Sequence, residues 1–289
     1  MIDSEIKNLI FFLIFTFLII KLCSINIYDN EQLNLIFRVI TVTSLIIFTN
    51  SFLKSSKILQ NEEKISVIIL NFNRPHNLVK SLKILNEYDR IGEIIVSHGK
   101  PSTYVEFEES KVRNIKDFEL DKLYGSALRF LRALDAKHNI ILFLDDDTLP
   151  DENTVNSTYD LIIKNYHRNT LYGHIGRNCN EKGYFSNRIK NGNVALTPFL
   201  MCKKSIMIDY LKDKKIGFYK FKNFFKKYRG NCEDLSLNYF VEKEYLEKPI
   251  IIDGDGIKLL DFSNGFSSNS KHRKLRNNFC RYLNFLDNK

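Results

Sequence analysis

The sequence predicts an α/β fold: a mostly parallel, doubly wound sheet, preceded by one or two membrane-anchor helices. Three observations carry that prediction. Short β-branched runs alternate with segments of helical apolar spacing between residues 65 and 144. The run from Asn139 to Leu144 (NIILFL) is apolar at nearly every place, which suits a central strand buried on both faces. Residues 9–20 are apolar except for Thr16, as in a segment that enters a bilayer.

Extended past Lys21 to Tyr28, the first apolar segment is long enough to cross a membrane if Lys21 snorkels. Its flanks lack a small-residue cleavage pattern, so the anchor is expected to stay attached. A second apolar stretch, residues 33–53, carries Arg38 and several Thr, Ser and Asn residues. It suits a second span, an interfacial helix or a stem helix. One span predicts a single-pass type II protein whose soluble domain faces the ER or Golgi lumen. Two spans predict a hairpin that returns that domain to the cytosol, the side favoured by Lys54 and Lys57. Residues 1–60 are thus assigned to anchor and stem, and 61–289 to one soluble domain.

That domain opens with a buried strand, residues 65–70 (ISVIIL). Asn73-Arg74-Pro75 then starts a helix, with Pro in its first turn and Leu78, Val79, Leu82 and Leu85 at helical spacing. Residues 93–97 give a second strand and 112–115 a third. A helix is expected over 121–137 through Leu123, Ala127, Leu131 and Leu134, leading into the strand that ends at Asp145. Right-handed crossovers place Arg74, Ser97 and Asp145 along one C-terminal sheet edge. Past Pro150 the pattern becomes α+β. A helix is read over 155–166, a strand over 171–176, and a Gly/Asn-rich loop to Gly192. A strand over 193–201, a basic aromatic segment over 218–228 and a helix over 232–243 follow. A last strand over 249–253 precedes a polar stretch and a basic terminal helix.

Hydrophobic residues make up 44% of the chain, enough for a full core, and the net charge of +9 points to an anionic partner. A nucleotide sugar or a membrane surface fits; no nucleic-acid motif is present. The five cysteines form no C-x-x-C pair, so neither a zinc site nor a thioredoxin-like site is expected.

The chemistry concentrates on Asp145-Asp146-Asp147, at the end of the buried strand. Open α/β sheets bind ligands at that edge. Adjacent carboxylates repel, and a divalent cation holds them together at least cost. Oxygen ligands favour Mg²⁺ or Mn²⁺, ions that bridge protein to diphosphate. The bland alternative is an acidic turn, since Thr148-Leu149-Pro150 is good turn chemistry. Arg74 stands where a guanidinium reaches a diphosphate or a base in bidentate fashion, or is a solvated arginine at a helix start. Arg129, in the helix before the Asp strand, is a ligand contact or surface decoration. Glu233 and Asp234 suit a helix start electrostatically, and equally a carboxylate facing a reacting sugar. His272 and Arg276 share a helical face, as part of a docked basic helix or of a cationic lid over a departing diphosphate. His76, His98, His138, His167 and His174 lack metal-like spacing and read as surface or loop residues.

With these residues in place, the chain resembles the exostosin-like GT-A glycosyltransferases, from about Ile65 to its end. The resemblance rests on Asn73-Arg74, Arg129, the run from Leu144 to Leu149 (LDDDTL), Asn231-Cys232-Glu233-Asp234 with Asn238, and Gly265-Phe266-Ser267 followed by His272 and Arg276. It implies a nucleotide-diphospho-sugar transferase fold with a Rossmann-like mixed sheet, and retaining transfer from a UDP-sugar with Mn²⁺ (or Mg²⁺). Asp147 would bind the metal, with Asp145 and Asp146 near the ribose and the metal's surroundings. Asn73, Arg74, Arg129 and His272 would contact the nucleotide sugar. Asp234 would lie under the sugar, and Arg276 would hold the leaving diphosphate. The resemblance also implies a bridge between Cys232 and Cys280, and with it an oxidising lumen. The pattern departs from the family at Ser97-His98-Gly99-Lys100 and Tyr124-Gly125, where relatives usually carry asparagines.

The resulting expectation is a membrane-anchored retaining transferase moving N-acetylhexosamine or another hexose to a glycan or glycolipid. Two alternatives stand beside it. One is an inverting GT-A enzyme with Asp234 as general base, and the other an inactive, glycan-binding membrane protein.

Overall fold

The computed structural model describes residues 64–252, 255–261 and 270–287. The anchor and stem expected over 1–60, and Gly265-Phe266-Ser267, lie outside the described residues. Among the described residues no helix is long and apolar enough to cross a membrane.

Strand β1 (Ile65–Asn71) is followed by α1 (Pro75–Glu87), β2 (Ile91–His98) and β3 (Val112–Lys116). Helix α1 begins with Pro75, whose fixed φ suits a first turn, and buries Leu78, Leu82 and Leu85. Val79, read as part of that apolar face, is 41% exposed. The helix expected over 121–137 is interrupted. It consists of α2 (Phe118–Tyr124), a 3₁₀ turn over Gly125–Ala127, α3 (Leu128–Arg132) and a second 3₁₀ turn over Ala133–Asp135. The break occurs at Gly125, whose φ of 48° lies in the left-handed region. A Cβ there would stand 1.9 Å from the carbonyl oxygen of Arg229, so the chain crossing at this point requires glycine.

Next come β4 (Ile140–Leu144), β5 (Thr148–Pro150) and α4 (Glu152–Lys164), the last capped by Asp151, which accepts from the Thr154 amide at 2.7 Å. Short strands follow: β6 (Tyr172–Gly173), β7 (Gly176–Asn180), β8 (Gly183–Phe185), β9 (Val194–Ala195) and β10 (Phe199–Lys203). The strands expected over 171–176 and 193–201 are therefore each divided in two. Their halves serve different sheets, which one apolar run cannot announce. The chain continues with α5 (Lys204–Lys212), absent from the sequence reading, and α6 (Phe218–Tyr228). It ends in α7 (Glu233–Tyr245), β11 (Ile250–Ile251), β12 (Ile257–Leu259) and α8 (Ser270–Asp287). Strand β12 pairs with β5, so the segment that the bland alternative made a turn after the Asp triplet is itself a strand.

The main sheet has seven strands in the order β11-β6-β10-β4-β1-β2-β3. Strands β1 to β4 are parallel, and β10 runs antiparallel to β4. The parallel pairing of the first four strands is as the alternation of elements predicts, and the mixed sheet is as the resemblance implies.

Register fixes the working edge. Asn71 pairs with His98 and Ile69 with Leu144, so β1, β2 and β4 end side by side. Helices cover both faces. Ile140, Leu142 and Leu144 pack with Leu78, Leu82, Val155 and Tyr159. Ile141 and Phe143 pack on the opposite face with Phe130, Tyr210, Phe225, Phe240 and Phe279. Burying each such side chain contributes about 1.5–3 kcal/mol, which suits a β4 that is apolar throughout up to Asp145.

Candidate active site

The C-terminal edge of the sheet opens into a cleft of about 700 Å³. Its floor is the turn after β4, where the Thr148 amide donates to the Asp145 carbonyl at 3.1 Å. Arg74, between β1 and α1, spans two members of the Asp triplet. Its Nη1 is 2.7 Å from Asp147 Oδ2, and its Nη2 pairs with Asp146 Oδ1. Arg129, on α3 and buried, puts Nη2 2.7 Å from Asp145 Oδ1, although no N–H is aligned on that oxygen. Arg129 Nε also donates to the Ser126 carbonyl at 3.2 Å, which fixes the guanidinium below the cleft. Burial pushes the Asp146 carboxyl up to about 6, against the pull of Arg74. Burial and the neighbouring Asp145 raise the Asp147 carboxyl as well.

The opposite wall comes from α7 and α8. Cys232 takes φ 70° and α7 begins immediately after it, so Glu233 and Asp234 occupy its first turn inside the cleft. Both are buried. Asp234 Oδ2 accepts from Arg276 Nη2 at 2.8 Å, and its Oδ1 from the Leu235 amide at 2.8 Å. Arg276 reaches in from α8 with its guanidinium 4.3 Å from the Tyr184 ring centroid. Asn238 ties the helix down, donating to the Asp234 and Ala195 carbonyls and accepting from the Ala195 amide. Glu233 Oε1 lies 3.9 Å from Arg129 Nε. Burial, and then the adjacent Asp234, push the Glu233 carboxyl up to about 7. The two walls are therefore joined by a chain of charged groups: Asp145, Arg129 and Glu233, then Asp234 with Arg276.

His272 Nδ1 lies 3.1 Å from Asn231 Nδ2, and burial, then Arg276, lower its proton affinity. Asn73 stands exposed at the rim, its Oδ1 accepting from Lys100 Nζ at 2.6 Å. Every residue singled out in the sequence for the nucleotide, the metal or the sugar thus lines this one cleft. Sequence reasoning passed over Tyr184, Asp121 and Arg229, which line it too. Tyr184 sits in a Gly/Asn-rich loop with no signal of its own. Arg229 and Gly230 immediately precede the noted Asn-Cys-Glu-Asp run, the one cue available.

Two expectations are corrected. Cys280 bonds to Cys179, and Cys232 is free and buried. Strand β7 runs against α8, leaving the Cys179 and Cys280 Cα atoms 5.4 Å apart, an ordinary bridging distance. The Cys232 thiol instead contacts Asn231 Oδ1 at 3.6 Å. His98 and His174, read as surface or loop residues, are fully or almost fully buried. His98 is held between the amide groups of Asn71, at the end of β1, and Asn114, within β3.

The donor set fits a divalent cation. Its atoms are hard carboxylate oxygens. Asp145 Oδ1 is buried without an aligned hydrogen bond, and two of the three carboxyls have raised proton affinity. Among the described residues no preformed cage of three or more His, Cys, Asp or Glu side chains exists.

Residues 65–286 match the Glycosyl transferase family 64 domain. Among solved structures the chain is similar to the "Mannosyltransferase PcManGT from Pyrobaculum calidifontis in complex with GDP-Man and Mn2+". The TM-score is 0.53 at 12% identity, over 78% of this chain and 65% of that one. The chain thus spans just under two thirds of that structure's length, and the likeness is one of fold. No similar protein was found among curated sequences.

Proposed function

The chain belongs to glycosyl transferase family 64, and from that premise we propose a metal-dependent, retaining enzyme that moves a hexose or N-acetylhexosamine from a UDP-sugar to a glycan or glycolipid. The carrying observation is the convergence of the Asp triplet with Arg74 and Arg129 on one wall and the Asp234–Arg276 pair on the other. A module that only binds glycans has no use for such a constellation.

In this reading Asp147 holds Mn²⁺ (or Mg²⁺), with Asp145 and Asp146 beside it. The ion supplies neutralisation of the diphosphate charge as the sugar bond breaks. Arg74, beside Asp146 and Asp147, would offer its guanidinium to the phosphate oxygens. Arg129, locked by Ser126 and Asp145, keeps the Asp145 side of the turn in place. Asp234 lies beneath the sugar and Arg276 offers charge-assisted hydrogen bonds to the leaving phosphate. Retention is supported by how Asp234 is engaged: one oxygen accepts from Arg276 and the other from the Leu235 amide. With Arg276 on one oxygen and the helix backbone on the other, Asp234 suits a carboxylate that is positioned to stabilise charge beneath the sugar, the acceptor's proton passing to the departing phosphate on the same face. The kinship to exostosin-like catalytic domains belongs to this proposal. So does the anchored, lumenal placement, which the Cys179–Cys280 bridge supports because disulfides persist in oxidising compartments.

The test is a panel of nucleotide sugars with Mn²⁺, followed by NMR assignment of the product anomer. An α-linked product from a UDP-α-sugar is expected, and a β-linked one would refute retention.

A further inference from the structure

The cleft extends beyond the diphosphate residues. Asp145, Asp146, Asp147 and Arg74 occupy its middle, and Asp234 with Arg276 its sugar side. Its remaining end lies over the last residues of β1 and β2, lined by Phe72, Gly99, Asp121 and Arg229. In a doubly wound sheet a nucleoside lies across this edge, near the point where strand order reverses, here between β1 and β4. With the sugar at α7 and α8, the base is left the β1–β2 side.

The groups there are built as a set. Asp121, buried on α2, accepts from Arg229 Nη2 on its Oδ2 at 2.7 Å. Its other oxygen faces the backbone of Gly99, where even a Cβ would come within 2.6 Å. A side chain at that position would displace the carboxylate from the end of β2. The Arg229 guanidinium stands 5.2 Å from the Phe72 ring centroid, and Lys100 Nζ lies 3.6 Å from the same ring. Arg229 itself is held by a main-chain lock. Its φ is 51°, its carbonyl accepts from the Ser126 amide at 3.2 Å, and Gly125 beneath leaves no atom in the way. A flat aromatic surface, an acceptor-only carboxylate and a guanidinium with five N–H donors thus meet at the nucleoside end.

We propose that Asp121 and Arg229 read the base of the donor, the carboxylate accepting a ring N–H and the guanidinium donating to the adjacent ring carbonyl. Uracil presents that edge at N3–H and O4, and guanine at N1–H and O6. Cytosine and adenine present a bare ring nitrogen instead, whose lone pair would face the carboxylate. A site built to hydrogen-bond a group rejects the analogue lacking it, because its own polar groups are left unpaired. For one such contact the discrimination is on the order of 10- to 100-fold.

This inference rests on the nucleotide-sugar reading, and one experiment separates the two. The full chain with Mn²⁺ is titrated calorimetrically with UDP, GDP, CDP and ADP. UDP or GDP is expected to bind at least about tenfold tighter than CDP and ADP, and the tighter of the two identifies the base. Asp121→Asn, whose amide can donate to a cytosine ring nitrogen, should weaken the preferred nucleotide and strengthen CDP, narrowing the ratio. Should that variant fail to fold, Arg229→Lys at a side chain 45% exposed carries the same test. Equal binding of all four by the native chain, or an equal loss for all four in the variants, would overturn the base-reading pair while leaving the transferase reading intact. Binding of none would remove both.

Discussion

Asp234 and Arg276 have only 6% and 5% of their side-chain surface exposed, with the ionic atoms 2.8 Å apart. Arg276→Met keeps most of the volume but strands the Asp234 carboxylate next to Glu233, whose own carboxyl is already pushed up by burial and by Asp234. Removing one partner of a buried pair costs about 3–5 kcal/mol, because the survivor keeps its desolvation penalty and loses its main counter-charge. Asp234→Asn strands the Arg276 guanidinium in the same way and should cost a similar amount. In the double variant both charges are gone, so its destabilisation should fall short of the sum of the singles by about 2 kcal/mol. Urea unfolding of the four proteins at pH 7 measures this, with far-UV circular dichroism as the probe. Activity separates the second role: all three variants should lose transfer, and the double should regain stability without regaining turnover. Additivity within about 0.5 kcal/mol would refute the coupling on which the reasoning depends.

Asp147→Asn should abolish Mn²⁺-dependent nucleotide binding while leaving the unfolding temperature near that of the native chain; unchanged affinity would reduce the triplet to a turn. Glu233, raised from its usual 4.5 to about 7, favours the folded state fully below pH 4.5, and that contribution is lost as pH rises through about 7. Metal-free Glu233→Gln should therefore gain stability relative to the native chain as pH climbs through that window, and parallel pH–stability curves would refute the assignment. Cys179→Ser should cost about 2–4 kcal/mol, since the bridge joins residues 101 apart. Non-reducing peptide mapping checks the pairing, and a Cys232–Cys280 peptide would contradict it.

Much of the fold was legible because burial writes itself into strands directly. The apolar run of β4 and the β-branched run of β1 could only be interior, and their alternation with helices fixed a parallel core. Residues with one strong chemical identity at an element boundary, such as Arg74 after β1 and Asp145 after β4, can be placed on the C-terminal sheet edge from sequence alone. The C-terminal half was less legible. The short strands β6 to β9 have two to five residues each, too few for a period to show. The helix over 121–137 was misread for a different reason. Its apolar spacing is genuinely helical, but the backbone of Arg229 crosses at Gly125 and breaks it.

By itself the sequence determined the buried central strands, the ligand edge at their ends, and the kinds of charge gathered there, because hydrophobic periodicity and residue chemistry are local properties. The tertiary structure decided which charges meet. Arg74 bridges Asp146 and Asp147, and Asp234 takes Arg276. Asp121 and Arg229 meet across 108 residues of chain, and Cys280 bonds Cys179 in place of Cys232. Each of those pairings depends on the few ångströms between elements distant in sequence. Packing of whole helices on the sheet sets that distance, and no single segment encodes it.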